Sequence, residues 1–162
     1  MLEKAYLESP FGCFEIVGSE LGIAAMKLIG QNCPSNVLIP NCLQNCVTQL
    51  DEYFKGKRQV FDLQLDWGGA PEFNKRVWSE LLKIPYGRTT SYAAIAEKIG
   101  DAKAVRAVGM ANRNNPIPII VPCHRVIAKN GDLHGYYYGL EMKRKLLELE
   151  NPLSFAAQGS LF

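Results

Sequence analysis

Thr89-Thr90-Ser91-Tyr92-Ala93-Ala94-Ile95-Ala96-Glu97-Lys98-Ile99-Gly100, continued by Asp101-Ala102-Lys103-Ala104-Val105-Arg106-Ala107-Val108-Gly109-Met110, is the stretch whose reading decides the fold. A short capped helix, a Gly-containing turn and a second short helix make a helix-turn-helix. Wound at about 100° per residue, the second helix sorts its side chains by face. Ala104, Val105, Val108 and Ala111 group on one side, as a core face should; Ala102, Arg106, Gly109 and Arg113 group on another. Small residues let a backbone approach a surface closely and two arginines bring charge, so the second face suits a DNA groove. An ordinary solvated face is the alternative.

Downstream, Asn115-Pro116-Ile117-Pro118 stiffens the approach to an apolar run ending at Val121, and Pro122-Cys123-His124-Arg125-Val126 follows. A thiol beside an imidazole is a plausible nucleophile seat. Read on a strand, the two neighbours point to opposite sides, so His124 serves Cys123 only through a bend or a bridging water. The closing helix, Leu140 to Glu150, carries Met142, Leu146, Leu147 and Leu149 on its apolar arc, with Glu150 falling between Leu146 and Leu147. A carboxylate on a buried side needs a partner. His124 is the candidate, giving a Glu-His-Cys relay; an inert packed thiol and a solvent-reaching terminal Glu are the bland alternatives.

Upstream, Phe73, Val77, Leu81 and Leu82 mark a helix that stops at Ile84-Pro85-Tyr86-Gly87. Asp66-Trp67-Gly68-Gly69-Ala70-Pro71 is the best linker, so the expected domains are 1–69 and 70–150, with a tail over 151–162. In the first, Tyr6 to Glu8, Cys13 to Val17 and Ile23 to Leu28 predict a three-stranded antiparallel meander. A helix over 41–54, capped by Asn41, packs on it, and Phe61 to Leu65 adds a strand. Cys33, Cys42 and Cys46 raise the idea of zinc, but three thiols without a nearby His are an incomplete set, and no metal is expected.

The 162 residues, 48% hydrophobic and 21% charged, describe a globular chain without a run of the roughly 20 apolar residues that would span a bilayer. No membrane partner is expected, and with no secretory signal in view the cytoplasm is the expected compartment. Five cysteines, an odd count, argue against a disulfide framework. Residues 1–70 carry a net −3 and residues 71–150 a net +5. The basic excess lies with the Cys-His motif, which suits a polyanionic partner.

Pro122-Cys123-His124-Arg125-Val126, preceded by Arg106-Ala107-Val108-Gly109 and Asn115-Pro116-Ile117-Pro118 and followed by Gly135-Tyr136 and Leu146-Leu147-Glu148-Leu149-Glu150, resembles the O6-alkylguanine-DNA alkyltransferase family. Gln49-Leu50-Asp51-Glu52-Tyr53-Phe54 with Gly56-Lys57 extends the likeness over nearly the whole chain to Glu150. The resemblance implies an α/β (α+β) fold: a small ribonuclease-H-like amino-terminal domain, then a winged-helix-like alkyltransferase domain with the helix-turn-helix. It implies a monomer that needs no cofactor, binds double-stranded DNA through the minor groove and flips the alkylated base. It also implies irreversible, stoichiometric transfer of a methyl from O6-methylguanine, with O4-methylthymine as a second substrate, to Cys123.

Roles follow from the same resemblance. Arg106 fills the space of the flipped nucleotide, with Ala102, Gly109 and Arg113 beside it on the DNA. Tyr92 crowds the phosphate and protonates guanine N3. Glu150 holds His124, which deprotonates Cys123 through water. The carbonyls of Cys123 and Val126 accept from the guanine amino group, the Tyr137 N–H lies on O6, Tyr136 and Tyr138 complete the substrate loop, and Asn115 braces the turn. Many relatives have Gly where Tyr138 stands, which bears on bulky adducts.

The tail ends in Gln158-Gly159-Ser160-Leu161-Phe162, similar to the short motif that docks repair proteins on the sliding clamp; a tail folded over its own protein is the plainer alternative. The rival functions are a non-catalytic alkylated-DNA sensor, which would lack the acceptor cysteine, and a thiol hydrolase, which would leave the arginine-bearing helix without a role.

Overall fold

The computed structural model describes residues 1–128, 130–131 and 136–153. Gly135 of the substrate-loop motif and the Gln158–Phe162 clamp motif lie outside the described residues. The chain forms two compact units, Met1–Gly69 and Ala70–Phe162.

In the first unit β1 (Glu3–Ser9), β2 (Gly12–Ser19) and β3 (Gly22–Gly30) form an antiparallel sheet in the order β1-β2-β3. Alternation buries Phe14 and Ile16 of β2, with Ala5 and Met26 beside them, and a register shift between Cys13 and Phe14 accompanies the burial of Cys13 as well. The β1–β2 turn is closed by Ser9, whose Oγ donates to the Gly12 carbonyl at 2.8 Å. Glycine is required at Gly22 (φ 137°), where a Cβ would stand 2.7 Å from the Gln64 carbonyl oxygen.

Three sequence expectations need correction in this unit. Asn41 does not cap the helix. A 3-10 turn, Asn41–Leu43, intervenes, and α1 (Gln44–Phe54) starts behind Leu43 with no side-chain cap. Leu43, Cys46, Leu50 and Tyr53 are its buried stripe. Phe61 to Leu65 is not a strand. Leu65 makes a single parallel bridge to Ile23, and Gln49 on α1 takes up the Asp62 backbone at both ends of its amide, 3.1 and 2.9 Å. A side chain thus satisfies backbone groups that a sheet would otherwise pair.

The third correction concerns the thiols. Cys13 and Cys33 are disulfide-bonded. Pairing of β2 with β3 sets Cys13 opposite Gly30, and the chain turns after Gly30 to bring Cys33 to a Cα separation of 5.1 Å. Cys42 donates to Glu3 at 3.1 Å and Cys46 is buried, so the three candidate metal thiols are apart in their bonding. Among the described residues no group of three or more His, Cys, Asp or Glu is arranged to hold a metal, and no helix is long and apolar enough to cross a membrane.

The second unit contains α2 (Glu72–Leu81), β4 (Thr90–Ser91), α3 (Tyr92–Lys98), α4 (Val105–Arg113), β5 (Val126–Ile127) and α5 (Leu140–Glu150). Ser91 caps α3, its Oγ accepting from the Ala94 N–H at 3.0 Å, and Gly100 at φ 86° ends that helix. Trp78 on α2 donates its indole N–H to the Ala111 carbonyl at 2.8 Å and so fastens α4 from behind. Val108 and Ala111 are buried as the periodicity predicts, but Val105 is exposed. The helix begins only at Val105, so its first turn projects beyond the packed zone. Thr90 and Ser91 pair in parallel with Val126 and Ile127, which ties the start of α3 to the segment following Cys123.

Candidate active site

Cys123 sits in a 3-10 turn, Cys123–Arg125, and not on a strand. Two tight turns lead into it. Ile120 N–H bonds the Pro118 carbonyl at 2.8 Å around Ile119, which is fully buried at φ 73°, and Cys123 N–H bonds the Val121 carbonyl at 2.8 Å around Pro122. Positive φ at a β-branched residue costs about 1–3 kcal/mol, so the surrounding packing must hold Ile119 there. Asn115 contributes to that hold: its Oδ1 accepts from Ile117 N–H at 3.0 Å and its Nδ2 donates to the Val121 carbonyl at 2.8 Å.

The 3-10 turn changes what His124 can reach. Its ring is fully buried, with Nε2 2.7 Å from Glu150 Oε2. Arg125 closes on the same carboxylate, Nε to Oε1 at 2.7 Å and Nη2 to Oε2 at 3.0 Å, and donates Nη1 to the Ile84 carbonyl at 2.7 Å. Burial would raise the Glu150 carboxyl, but the charges and hydrogen bonds of His124 and Arg125 outweigh it and hold the group well below the usual carboxylate range. Burial lowers His124 despite Glu150. The pair is therefore a carboxylate and a neutral imidazole whose Nε2–H donates, leaving Nδ1 as the basic nitrogen. Nδ1 is buried and has no hydrogen-bond partner among the described residues.

Glu150 owes its place to the end of α5. Tyr86 donates its hydroxyl to the Leu149 carbonyl at 3.3 Å, and Asn151 Nδ2 reaches the Gly87 carbonyl at 3.0 Å. Gly87 stands at φ 78°, with Glu150's own carbonyl 3.3 Å from where a Cβ would be. The turn that stops α2 thus docks the carboxylate's helix.

The Cys123 thiol is pushed up to about 11 by burial, which hydrogen bonding from Asn115 and the charge of Lys143 only partly oppose. A free thiolate is thus scarce at neutral pH, and a base is needed. Tyr92, half-buried, is raised by burial and by the nearby Cys123. Tyr136 is buried, its hydroxyl well above the ordinary range through burial and without a hydrogen-bond partner among the described residues. Tyr137 is exposed; its ring meets that of Tyr138 edge-on at 4.9 Å, and Tyr138 lies 6.0 Å from Tyr136.

Sequence reasoning missed three residues here. Lys143 is fully buried, donates to the Val126 carbonyl at 2.6 Å, lies 5.9 Å from the Tyr92 ring centroid and is lowered to about 8 by burial. Lys143, Leu146, Leu147 and Glu150 occupy i, i+3, i+4 and i+7, so the buried stripe of α5 has a charge at each end, and that spacing was the available signal. Leu149, counted on the arc, is only half-buried. Arg125 was visible only as part of a motif. Asn112 is buried on α4 and donates to the Cys123 carbonyl at 3.3 Å.

On α4 and the turn before it, Ala102, Arg106 and Arg113 are exposed and Gly109 is half-buried. A Cβ added at Gly109 would meet no atom within 4 Å, so nothing within the described residues demands glycine there. These residues lie apart from Cys123 in bonding, joined to it through the body of the helix.

Two family descriptions match the chain: the ribonuclease-like domain of 6-O-methylguanine DNA methyltransferase over residues 2–67, and its DNA-binding domain over residues 72–152. A methylated-DNA–protein-cysteine methyltransferase of Mycolicibacterium paratuberculosis is 44% identical over 154 residues, 93% of each chain. One of Methanosarcina acetivorans is 43% identical, covering 90% of this chain and 96% of its own. Among solved structures, Mycobacterium tuberculosis O6-methylguanine methyltransferase superposes with a TM-score of 0.82 at 42% identity over 94% of both chains. A complex of the M. tuberculosis protein with DNA gives 0.81 at 43% identity, covering 93% of this chain and 92% of that one. The α/β reading, a ribonuclease-like unit followed by a helical DNA-binding unit, is borne out.

Proposed function

The chain belongs to the 6-O-methylguanine DNA methyltransferase family, an enzyme that repairs DNA by alkyl transfer to one of its own cysteines, and from that premise we propose Cys123 as the acceptor and a mechanism for it. The observation that carries the proposal is the buried His124–Glu150 pair, whose remaining imidazole nitrogen is basic and, among the described residues, unpartnered, one residue from the thiol.

Arg106 enters the minor groove and takes the place of the alkylated nucleotide, which flips out at a cost of a few kcal/mol. Ala102 and Gly109 leave room for that approach and Arg113 adds charge. His124, through water, takes the Cys123 proton and delivers a thiolate where burial disfavours one. Sγ attacks the methyl carbon in line, the carbon–O6 bond breaks, and its electron pair moves into the purine, which takes a proton at N3 from Tyr92. The imidazolium proton, relayed through solvent, restores the Tyr92 hydroxyl. The Cys123 and Val126 carbonyls accept from the guanine amino group, Tyr137 N–H lies on O6, and Tyr136 and Tyr138 flank the alkyl group.

No group in this set can remove a methyl from a thioether, so each molecule reacts once. The substrates are O6-methylguanine and O4-methylthymine, whose methoxy carbon is the same kind of electrophile. Incubation with a duplex carrying O6-methylguanine should add one methyl to the Cys123 peptide by mass spectrometry. Repaired DNA with an unmodified peptide would overturn the assignment.

A further inference from the structure

Asn112 lies in the second half of α4, 1% exposed, where burying an amide costs free energy unless it is hydrogen-bonded. Its Nδ2 donates to the Cys123 carbonyl at 3.3 Å, an oxygen that also accepts the Val126 N–H. A carbonyl takes only donors, so this contact fixes which way the amide faces and leaves Oδ1 inside the protein without a partner among the described residues. Three residues on, Asn115 donates to the Val121 carbonyl at 2.8 Å. Two amides from one helix end therefore hold carbonyls two residues apart on the segment that carries the thiol.

A half-satisfied buried amide is retained against its own desolvation, and its one bond goes to an atom of the reacting site. We propose that Asn112 is a positioning residue that aims the Cys123 carbonyl at the 2-amino group of the bound purine, and so sets a preference for 2-aminopurine substrates. The inference rests on the reading of that carbonyl as an acceptor for the guanine amino group. At 3.3 Å the amide makes the long bond to this oxygen. With the Val126 N–H already on this oxygen, the amide adds direction, and it shares the oxygen when the amino donor arrives. The helix that would carry Arg106 into DNA is thereby the helix that orients the acceptor for the base.

The test compares inactivation of the full chain by free O6-benzylguanine and by free O6-benzylhypoxanthine, which lacks only the 2-amino group. The unsubstituted protein should prefer the first. In Asn112→Ala, and in Asn112→Leu, which keeps the branched shape without the donor, the ratio of the two rate constants should fall about fivefold, the worth of one neutral hydrogen bond. A residue with a merely structural role would lower both rates together and leave the ratio alone, so an unchanged or increased ratio in a folded variant overturns the inference while the reading beneath it stands. No preference in the unsubstituted protein would remove that reading, and the inference with it.

Discussion

Arg125 and Glu150 form a two-pronged clamp, Nε and Nη2 each on a different carboxylate oxygen at 2.7 and 3.0 Å, in the same buried space where His124 meets Oε2. The carboxylate is thus shared by a permanent cation and a neutral imidazole. His124 and Arg125 together hold Glu150 ionised, and an ionised Glu150 in turn fixes the tautomer in which Nδ1 is the base.

Arg125→Lys retains the charge but loses the planar fork and the bond to the Ile84 carbonyl. It should destabilise the protein by about 1.5–3 kcal/mol, the range for hydrogen bonds to charged groups, and slow alkyl transfer. Denaturant unfolding and single-turnover kinetics would measure both; full stability with a full rate would show the clamp to be dispensable.

Stability should fall in acid, with a sign set by Glu150. Its carboxyl titrates lower in the folded than in the unfolded state, so its contribution is complete above the ordinary value of 4.5 and is lost as the pH falls below it. His124, lowered by burial, acts in the same sense below 6.5, where the unfolded imidazole takes up a proton first. Glu150→Gln should be less stable at neutral pH and show a flatter decline below pH 4.5. Thermal melts across pH check this, and parallel curves for the two proteins would contradict it.

With the thiol at about 11, the alkyl-transfer rate in His124→Ala should climb steadily with pH, following the thiolate fraction. The unsubstituted protein should be nearly flat above the His124 titration. Near neutrality the deficit should be about 10²–10⁴-fold, the usual worth of a positioned base, and should shrink in alkali. Reaction with a free benzylated guanine from pH 6 to 10 reads it directly, and a constant deficit would argue against a base.

Tyr138 packs between Tyr136 and Tyr137, its ring 6.0 Å from the first and 4.9 Å from the second. If its ring narrows the site, Tyr138→Gly should react faster with a benzylated guanine; if it stacks on the adduct, slower. Equal rates would show that the position does not govern adduct size.

The Cys13–Cys33 bond closes a separation of 20 residues in the first unit. Cys33→Ser, or reduction, should lower the stability of Met1–Gly69 by about 3 kcal/mol on loop-closure grounds. Calorimetry with and without reductant checks this, and the reaction of Cys123 with a free benzylated guanine should be unaffected.

The helix-turn-helix, the meander and the carboxy-terminal helix were legible in the sequence because each depends on a period of 3.6 or 2 read over neighbouring residues. Glu150 was found by winding its helix, since an acidic residue on an apolar arc calls for a partner. The pairing of Cys13 with Cys33 was not legible: strand register and the turn after Gly30 decide it, and a cysteine count carries neither. Asn112 and Lys143 escaped for the same reason. Each is an ordinary polar residue on a helix until tertiary packing brings a carbonyl, Cys123 in one case and Val126 in the other, within reach. The character of the thiol was settled last. The sequence by itself determined that Cys123 stands beside His124, while the 3-10 turn, the strained Ile119 and the clamp on Glu150 decided that the imidazole turns its Nε2 to a carboxylate and leaves Nδ1 as the basic nitrogen. Neighbours along a chain share a position, but only the folded backbone sets the direction in which their side chains point.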